Sequence, residues 1–366
     1  MAIYDAPFQV IGERVWRTWP GGRELEKKRH IKDPRDGCFP EEWMLSVAQA
    51  TNVGREGIVE GLGRLAGDPK TTLKEVVERH PVEMLGAEHY KRFGAGTGIL
   101  VKLLDAQRRL QLQAHPDKPA ARRLFNSAYG KTECWHVIAL REDSEEDPCL
   151  YIGFREGIQE SAWRDCFLRQ DSDGMLAMLN RIVPVPGQTF IVRGGVPHAI
   201  GGGCFVVEIQ EPTDLTIRLE KKMPYGGIEL ADEACHAGLG FDRMFECFNY
   251  DGLTEEEALK AYRVEKKVVR QTDAYLVESL IDYDVTEFFK MEMMEITTNM
   301  PVEPVGDSFS GLCVLSGTGQ FDCGNQALSL AWGDQFFVPA RSRSFTITNT
   351  GTDKLRVLRF YGPSLD

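Results

Sequence analysis

Side chains that bind divalent metal ions occur in three separated segments of this 366-residue chain. Residues 113–117 read Gln-Ala-His-Pro-Asp, residues 130–135 read Gly-Lys-Thr-Glu-Cys-Trp, and residues 195–198 read Gly-Val-Pro-His. Imidazole nitrogens and carboxylate oxygens are ligands of zinc and similar ions, and a catalytic site leaves one coordination position open. His115, Glu133 and His198 therefore predict a catalytic metal site, with zinc as the expected ion.

The alternation of side chains along β-strands would bring these groups to a common face. Gln113 and His115 are two residues apart in the apolar stretch 110–115, so on a strand both side chains project from one side. Lys131, Glu133 and Trp135 share one parity in the same way. The pattern predicts two strands that present their polar side chains to one site.

Each of these residues has an ordinary structural alternative when it is taken alone. A histidine after a Gly/Pro turn, such as His198, is more often a surface residue or a capping donor, and Glu133 could be a solvated acid on a strand. Cys134 and His136 have the opposite strand parity, so both should face away from a metal ion. The residues by themselves leave the metal site and these structural roles open.

The composition of the chain argues against several kinds of partner and against disulfide bonds. A formal net charge of −12 argues against nucleic acid or an anionic membrane as the main partner. The nine cysteines form no C-x-x-C pair, and no apolar stretch approaches the roughly 20 residues that span a bilayer. We therefore expect no disulfides, no membrane partner and a cytoplasmic location.

The hydrophobic pattern predicts a mainly β fold with helical insertions: two barrels plus a helical region. Residues 36–94 read as helical, with further helical stretches at 161–180 and 228–262, and predicted strands lie at 99–104, 110–115, 133–140, 150–154, 184–192 and 205–210. The predicted domains are residues 1–35 and 96–227 for the metal-binding N-terminal domain, 36–95 for a helical insert, 228–262 for a helical connecting segment and 263–366 for the C-terminal domain.

The two predicted barrels look like diverged copies of one unit. Residues 186–198 and 332–340 both run glycine, polar, aromatic, apolar and then a proline turn. The later copy has Ala340-Arg341-Ser342 where the first has His198. The C-terminal domain is therefore expected to lack a metal site.

Longer stretches of the chain resemble the type I mannose-6-phosphate isomerases, also called phosphomannose isomerases, of the cupin superfamily. The resemblance lies in residues 103–118, 129–135, 197–200 and 207–218, with residues 15–22 and 41–46 similar to the family's N-terminal strands. It implies two cupin (jelly-roll) barrels with a helical region, and a zinc-dependent aldose–ketose isomerase that acts on a small sugar phosphate.

The resemblance also implies roles for individual residues. The metal ligands fall on His115, Glu133 and His198, with Gln113 as a fourth ligand, for one Zn²⁺ per chain. The catalytic residues are Arg218 and Lys131, and the substrate-binding residues are Trp19, Glu42, Lys102 and Glu208. Lys131 is expected to manage protons, with Glu208 as a rival base. The structural alternatives are strand-edge lysines at 102 and 131, and an Arg218 that merely pairs with Glu208 or Asp214.

One segment departs from the family pattern. After Arg218 the chain continues Leu-Glu-Lys-Lys-Met-Pro, and Ile217 stands where a tyrosine is common. This region shapes the phosphate end of the family's pocket, where Lys221 and Lys222 could neutralise a phosphate or could be exposed loop lysines. The predicted reaction interconverts mannose 6-phosphate and fructose 6-phosphate. The alternatives are an isomerase of another sugar, a non-enzymatic sugar-binding cupin and, less favoured, an iron cupin oxygenase.

Overall fold

A computed structural model describes residues 2–52, 54–222, 225, 229–322 and 327–366. The strands of the first part of the chain are β1 Phe8–Ile11, β2 Glu13–Val15, β3 Glu41–Met44, β4 Arg64–Leu65, β5 Asp68–Thr72, β6 Leu100–Asp105, β7 Gln113–Ala114, β8 Glu133–Leu140, β9 Leu150–Phe154, β10 Leu179–Ile182, β11 Thr189–Val192, β12 His198–Ile200, β13 Cys204–Gln210 and β14 Ile217–Arg218.

The later strands are β15 Arg263–Val264, β16 Lys267–Gln271, β17 Tyr275–Ile281, β18 Lys290–Ile296, β19 Asn299–Val302, β20 Ser310–Ser316, β21 Gly319–Asp322, β22 Ala327–Leu330, β23 Gln335–Val338, β24 Phe345–Asn349 and β25 Leu355–Tyr361. The helices are α1 Arg23–Lys28, α2 Leu73–Arg79, α3 Pro81–Leu85, α4 Ala87–Phe93, α5 Lys118–Phe125, α6 Glu160–Leu168, α7 Ser172–Ala177, α8 Asp232–His236, α9 Phe241–Met244 and α10 Glu255–Tyr262. No helix among the described residues is long and apolar enough to cross a membrane.

The described strands form four antiparallel sheets. A seven-stranded sheet has the order β15-β11-β8-β13-β6-β3-β2, and a five-stranded sheet has the order β10-β9-β12-β7-β14. A nine-stranded sheet runs β16-β17-β18-β25-β20-β23-β1-β4-β5, and a four-stranded sheet runs β19-β24-β21-β22. The protein is therefore mainly β, as the sequence predicts.

The four sheets are stacked by their apolar faces. Trp135, Phe190 and Val206 of the seven-stranded sheet share one core with Ile152 and Ile200 of the five-stranded sheet. A separate core lies between the nine-stranded and four-stranded sheets. The outer faces of the two larger sheets pack on each other through a third cluster. Because a sheet with two apolar faces must be covered on both sides, these clusters fix the layer order.

Several predicted elements are confirmed, and β8 and β9 begin and end at the predicted residues. The strand predicted for residues 110–115 is shorter, because only Gln113–Ala114 pairs in a ladder. The amide of Leu112 instead donates to the Glu220 carboxylate at 2.7 Å, and the amide of Leu110 donates to the Ile200 carbonyl at 2.8 Å. Side-chain and loop acceptors thus replace the expected strand partner.

The interpretation of residues 36–94 as helical is wrong for their first part. The helices of this region span only Leu73–Phe93, and Glu41–Met44 forms β3, which pairs with β2 on one side and β6 on the other. All four residues of β3 are buried, so tertiary pairing outweighs the local helical pattern. Strand β1 joins the nine-stranded sheet, so residues 1–35 do not belong to one sheet. Residue 228, the predicted start of the second helical stretch, lies outside the described residues.

The helix that follows β7 turns the chain away from the site at a defined point. The Asp117 carboxylate accepts a hydrogen bond from the amide of Ala120 at 2.7 Å, and Pro119 lies in the first turn of α5. An N-cap acid and an early proline are strong start signals for a helix. His115 is therefore held between the end of β7 and the start of α5.

Candidate metal centre and active site

Three strands from two facing sheets carry the predicted metal ligands to one place. Glu133 is the first residue of β8 in the seven-stranded sheet, and His198 is the first residue of β12 in the five-stranded sheet. His115 follows β7 directly, and Gln113 of β7 pairs with both His198 and Arg218 on the neighbouring strands. The interior between these two sheets thus receives all four predicted ligands.

His115, Glu133 and His198 form a compact buried cluster. Their ligand atoms all lie within 4.8 Å of one another. His115 Nε2 is 3.1 Å from Glu133 Oε1, and His198 Nε2 is 3.6 Å from Glu133 Oε2. Each of the three side chains is 1% exposed. Two imidazoles and one carboxylate therefore meet out of contact with bulk water.

Backbone carbonyls orient both imidazole rings. His115 Nδ1 donates to the Leu215 carbonyl at 2.8 Å, and His198 Nδ1 donates to the Val196 carbonyl at 2.8 Å. Because a carbonyl only accepts, the ring hydrogen must be on Nδ1, which leaves the Nε2 lone pair directed at the cluster. Ligating histidines are oriented in this way in metal sites.

The donor atoms of the cluster fit a divalent cation. Among the described residues, His198 Nε2 and both Glu133 carboxylate oxygens are buried without a hydrogen-bond partner. The Lys131 ammonium lies 2.8 Å from Glu133 Oε1 in an ion pair and 3.1 Å from His115 Nε2. Buried acceptors of this kind are costly unless a cation binds them. His115, Glu133 and His198 could therefore hold a metal ion.

Electrostatics keep the cluster in the form that binds metals. Burial, with the Lys131 charge adding to it, lowers the pKa of His115 to about 3, and burial also lowers the pKa of His198. Although burial opposes ionisation of Glu133, the Lys131 ammonium and His115 hold its pKa well below the usual range. At neutral pH the site therefore contains two neutral imidazoles and a carboxylate.

These shifts predict that the metal-free protein loses stability in mild acid. The pKa values of His115 and His136 in the folded protein, about 3 and about 4, lie below that of a free imidazole, so protons bind more tightly to the unfolded chain. Unfolding free energy should fall by about 2 kcal/mol per buried histidine between pH 6.5 and 5. Chemical denaturation at several pH values measures this slope. The matched variant His136→Gln should show a smaller slope, and equal stability at pH 6.5 and 5 would contradict the argument.

Other residues predicted for the active site line a pocket next to this cluster. The pocket wall includes Trp19, Lys102, Gln113, Lys131, Glu208 and Arg218 together with Glu133. Glu208 Oε2 accepts from Lys102 at 2.6 Å, and Glu208 Oε1 accepts from the Trp135 indole at 3.1 Å. Burial and the Glu133 charge raise the pKa of Glu208, while the Lys102 ammonium opposes that rise. The pocket thus combines groups that can hold or transfer a proton.

Glu42, which is predicted to bind substrate, does not line this pocket. Its carboxylate accepts from the Gln335 amide at 2.8 Å and pairs with Arg29, on the side of β3 that faces the nine-stranded sheet. The neighbouring Glu41 lines the pocket instead. The reason is strand alternation, which places adjacent side chains on opposite faces.

Arg218 at the end of β14 lines the pocket, whereas Lys221 of the following segment does not. Arg218 lines the pocket, and its Nη1 donates to the carbonyls of Ala234 at 3.0 Å and Thr216 at 3.4 Å. No carboxylate of the described chain lies within ion-pair distance of Arg218, so the alternative of a structural ion pair with Glu208 or Asp214 is not seen there. Lys221 instead pairs with Asp232 at 2.8 Å outside the pocket wall.

The pocket also contains residues that sequence reasoning missed. Arg17, Thr18, Thr51 and Asn52 line it together with Glu41. Residues 17 and 18 fall in a stretch noted only for its likeness to N-terminal strands, and residues 51 and 52 lie in a loop that reads as helical. No signal in the sequence marked Glu41, because the pairing of Trp43 with Lys102 that places β3 beside β6 is seen only in the structure.

Comparison with known proteins identifies relatives of this chain. Residues 12–133 match the model for the catalytic domain of type I phosphomannose isomerases, and residues 280–355 match the model for the cupin domain of mannose-6-phosphate isomerase. A probable mannose-6-phosphate isomerase of Bacillus subtilis, GmuF, is 30% identical over 288 residues, which cover 79% of this chain and 81% of that protein. The mannose-6-phosphate isomerase of Streptococcus mutans is 25% identical, with 91% of both chains covered.

Solved structures show the same fold. The mannose 6-phosphate isomerase of Bacillus subtilis superposes with a TM-score of 0.73 at 21% identity, covering 97% of this chain and 99% of that one. A putative mannosephosphate isomerase of Archaeoglobus fulgidus gives a TM-score of 0.71 at 21% identity, with 98% of each chain covered.

Fold and site define a stacked β protein with a buried cluster of metal-ligand type next to a polar pocket. The matched family models and the extent of the alignment with GmuF make the assignment more specific. The chain belongs to the type I mannose-6-phosphate isomerase family, and it is an enzyme of the aldose–ketose isomerase class.

Proposed function

We propose that this enzyme interconverts mannose 6-phosphate and fructose 6-phosphate by proton transfer through an enediol. The observation that carries the proposal is the buried His115–Glu133–His198 cluster, which opens onto a pocket lined by Lys131 and Arg218. Relatives in the same family bear the name of this activity. The reaction moves a proton between two neighbouring carbons while negative charge grows on their oxygens, and this chemistry requires both cations and a base.

We propose that His115, Glu133 and His198 hold one Zn²⁺ ion, with Gln113 as the fourth protein ligand. Bound there, the ion supplies a Lewis acid that polarises the substrate's carbonyl and hydroxyl oxygens. The Nε2 atoms face the cluster, and backbone acceptors hold both rings in that orientation. Their neutral state at neutral pH supports the assignment, because protonated imidazole is not a ligand.

The remaining pocket residues have separate roles in charge stabilisation, proton transfer and positioning of the sugar. Arg218 is free of a carboxylate partner within the described chain, so its charge is available to stabilise the enediolate. Lys131 moves protons at its Nζ atom, which lies within 3.1 Å of both His115 and Glu133. Glu208 is the alternative base, because its raised pKa suits a group that takes and returns a proton. Lys102 and Trp19 position the sugar.

We further propose that the sheets form two cupin barrels. The seven-stranded and five-stranded sheets share one core and would form the metal-binding barrel, whereas the nine-stranded and four-stranded sheets would form the other. Most strands of the second barrel come from residues 263–366, to which β1, β4 and β5 are added from the N-terminal part of the chain. The segment 229–262, which contains helices α8 to α10, would connect the barrels, and helices α2 to α4 would form the inserted region.

The proposal is tested with the zinc-loaded protein and fructose 6-phosphate in deuterated water. We expect formation of mannose 6-phosphate together with solvent deuterium in the sugar, because the proton leaves carbon during the reaction. Removal of the metal by a chelator should abolish turnover, and added zinc should restore it. Turnover of only an unphosphorylated sugar would indicate an isomerase of another substrate. Binding without exchange would indicate a sugar-binding protein and would refute the proposed reaction.

A further inference from the structure

The pocket wall contains an arginine to which neither the sequence motifs nor the metal cluster assign a role. Arg17 lines the pocket, and its side chain is 12% exposed. Its Nη2 faces Glu41 Oε2 at 2.9 Å, and its Nη1 donates to Asn52 Oδ1 at 2.9 Å and to the Trp16 carbonyl at 3.3 Å. The guanidinium also lies over the Trp43 ring, 5.3 Å from the centroid.

These contacts fix the Arg17 guanidinium but do not use all of its donors. Arginine has five N–H groups in a rigid fork. The Nε–H and one Nη2–H make no hydrogen bond with the described residues. Arg17 Nε is not fully buried, so solvent or a ligand can contact it. The guanidinium is therefore held in place with an Nε–H donor that a ligand can reach. A fixed and charged donor of this kind suits a phosphate oxygen.

A second guanidinium lines the pocket together with that of Arg17. Arg218 lines the same pocket, and the charge of Arg17 adds to burial in lowering the pKa of Arg218, against the attraction of Asp214. Two like charges held near one another cost free energy unless an anion binds between them. Asp214 is exposed, so solvent screens its charge and weakens its attraction for the two guanidinium groups.

The charge balance of the pocket fits an anionic ligand once a divalent ion is bound. Its lining cations are Arg17, Lys102, Lys131 and Arg218, and its lining acids are Glu41, Glu133, Glu208 and Asp214. Because four cations face four acids, these side chains together carry no net charge, and three of the cations are in ion pairs with three of the acids. A divalent ion would raise the total by two, which equals the charge of a phosphate monoester dianion.

We propose that Arg17 is a specificity residue that binds the phosphate of the substrate, beside Asn52 and on the same pocket wall as Arg218. The inference rests on the proposed function and names the part of the substrate that this part of the pocket recognises. It also assigns the phosphate-binding charge to Arg17 of the N-terminal segment, instead of to Lys221 and Lys222, the candidates from sequence.

The test compares Arg17→Met with Arg29→Met in the zinc-loaded full chain. Arg29 is a matched control because its guanidinium pairs with Glu42 on the opposite face of β3 and lies over the Trp332 ring. We expect Arg17→Met to raise KM for fructose 6-phosphate and the inhibition constant of inorganic phosphate by roughly 10- to 100-fold, the range of a lost charge-assisted hydrogen bond. Zinc content should be unchanged, and kcat should change by less than about threefold.

A second variant, Arg17→Lys, keeps the charge without the fork and should give intermediate values for both constants. A fall in kcat with unchanged KM and unchanged phosphate inhibition would overturn the proposal, as would the same loss in Arg29→Met. Calorimetric titration of inorganic phosphate into wild-type and variant proteins separates this inference from the proposed reaction. If the wild type turns over no sugar phosphate, the proposed function fails, yet tenfold weaker phosphate binding by Arg17→Met would still support the assignment of Arg17.

Discussion

The variant His198→Ala is expected to lose its metal ion and its isomerase activity together. His198 contributes one of three buried donors, and its Nε2 has no other hydrogen-bond partner among the described residues. Loss of an outer-sphere partner already lowers metal affinity about 10- to 100-fold, so removal of a ligand should exceed that range. Turnover with fructose 6-phosphate should fall at least about a hundredfold, because the Lewis acid is lost with the ion.

His136→Ala is the matched control for this variant. His136 is also a buried histidine of the seven-stranded sheet, but its Nδ1 contacts the Thr189 hydroxyl at 2.9 Å on the face away from the cluster. Zinc stoichiometry by elemental analysis and zinc affinity by competition with a chelator measure the effect. Full zinc content and full activity in His198→Ala, or equal zinc loss in both variants, would show that the cluster is not the metal site.

The variant Lys131→Met is expected to keep its zinc and to lose catalysis. The Lys131 ammonium contacts the cluster from the pocket side, 2.8 Å from Glu133 Oε1, and the thioether cannot carry a proton. Removal of a group that transfers protons costs typically 10²- to 10⁴-fold in rate. We therefore expect kcat to fall by about that factor, and the rate of deuterium exchange into the sugar to fall with it.

Two further variants make this result specific. Lys118→Met removes an exposed lysine outside the pocket wall and should leave turnover unchanged. Glu208→Gln keeps the shape of the rival base and removes its charge. If exchange survives in Lys131→Met and disappears in Glu208→Gln, the base is Glu208. If Lys131→Met retains full turnover, Lys131 has no part in proton transfer.

Strand parity explains both the success and the failure of sequence reasoning about the site. Residues two apart share a face whatever the fold, so Glu133 and Trp135 could be placed together, with Cys134 and His136 on the other face. The structure confirms this arrangement through the contacts of Trp135 with Glu208 and of His136 with Thr189. Parity was not applied to residues 41 and 42, because Glu42 was assigned from the family resemblance alone, and strand alternation places Glu41 rather than Glu42 on the pocket side.

The sequence by itself identified the family and predicted the three-residue cluster. His115, Glu133 and His198 were recognisable because their side-chain chemistry and their motifs are local properties of the chain. The tertiary structure alone decided which neighbours share the pocket. The burial of β3, the place of Arg17 and Arg218 on one pocket wall and the absence of an ion pair to Arg218 among the described residues depend on contacts between distant segments. Local sequence does not encode those contacts, because they follow from how whole sheets pack on one another.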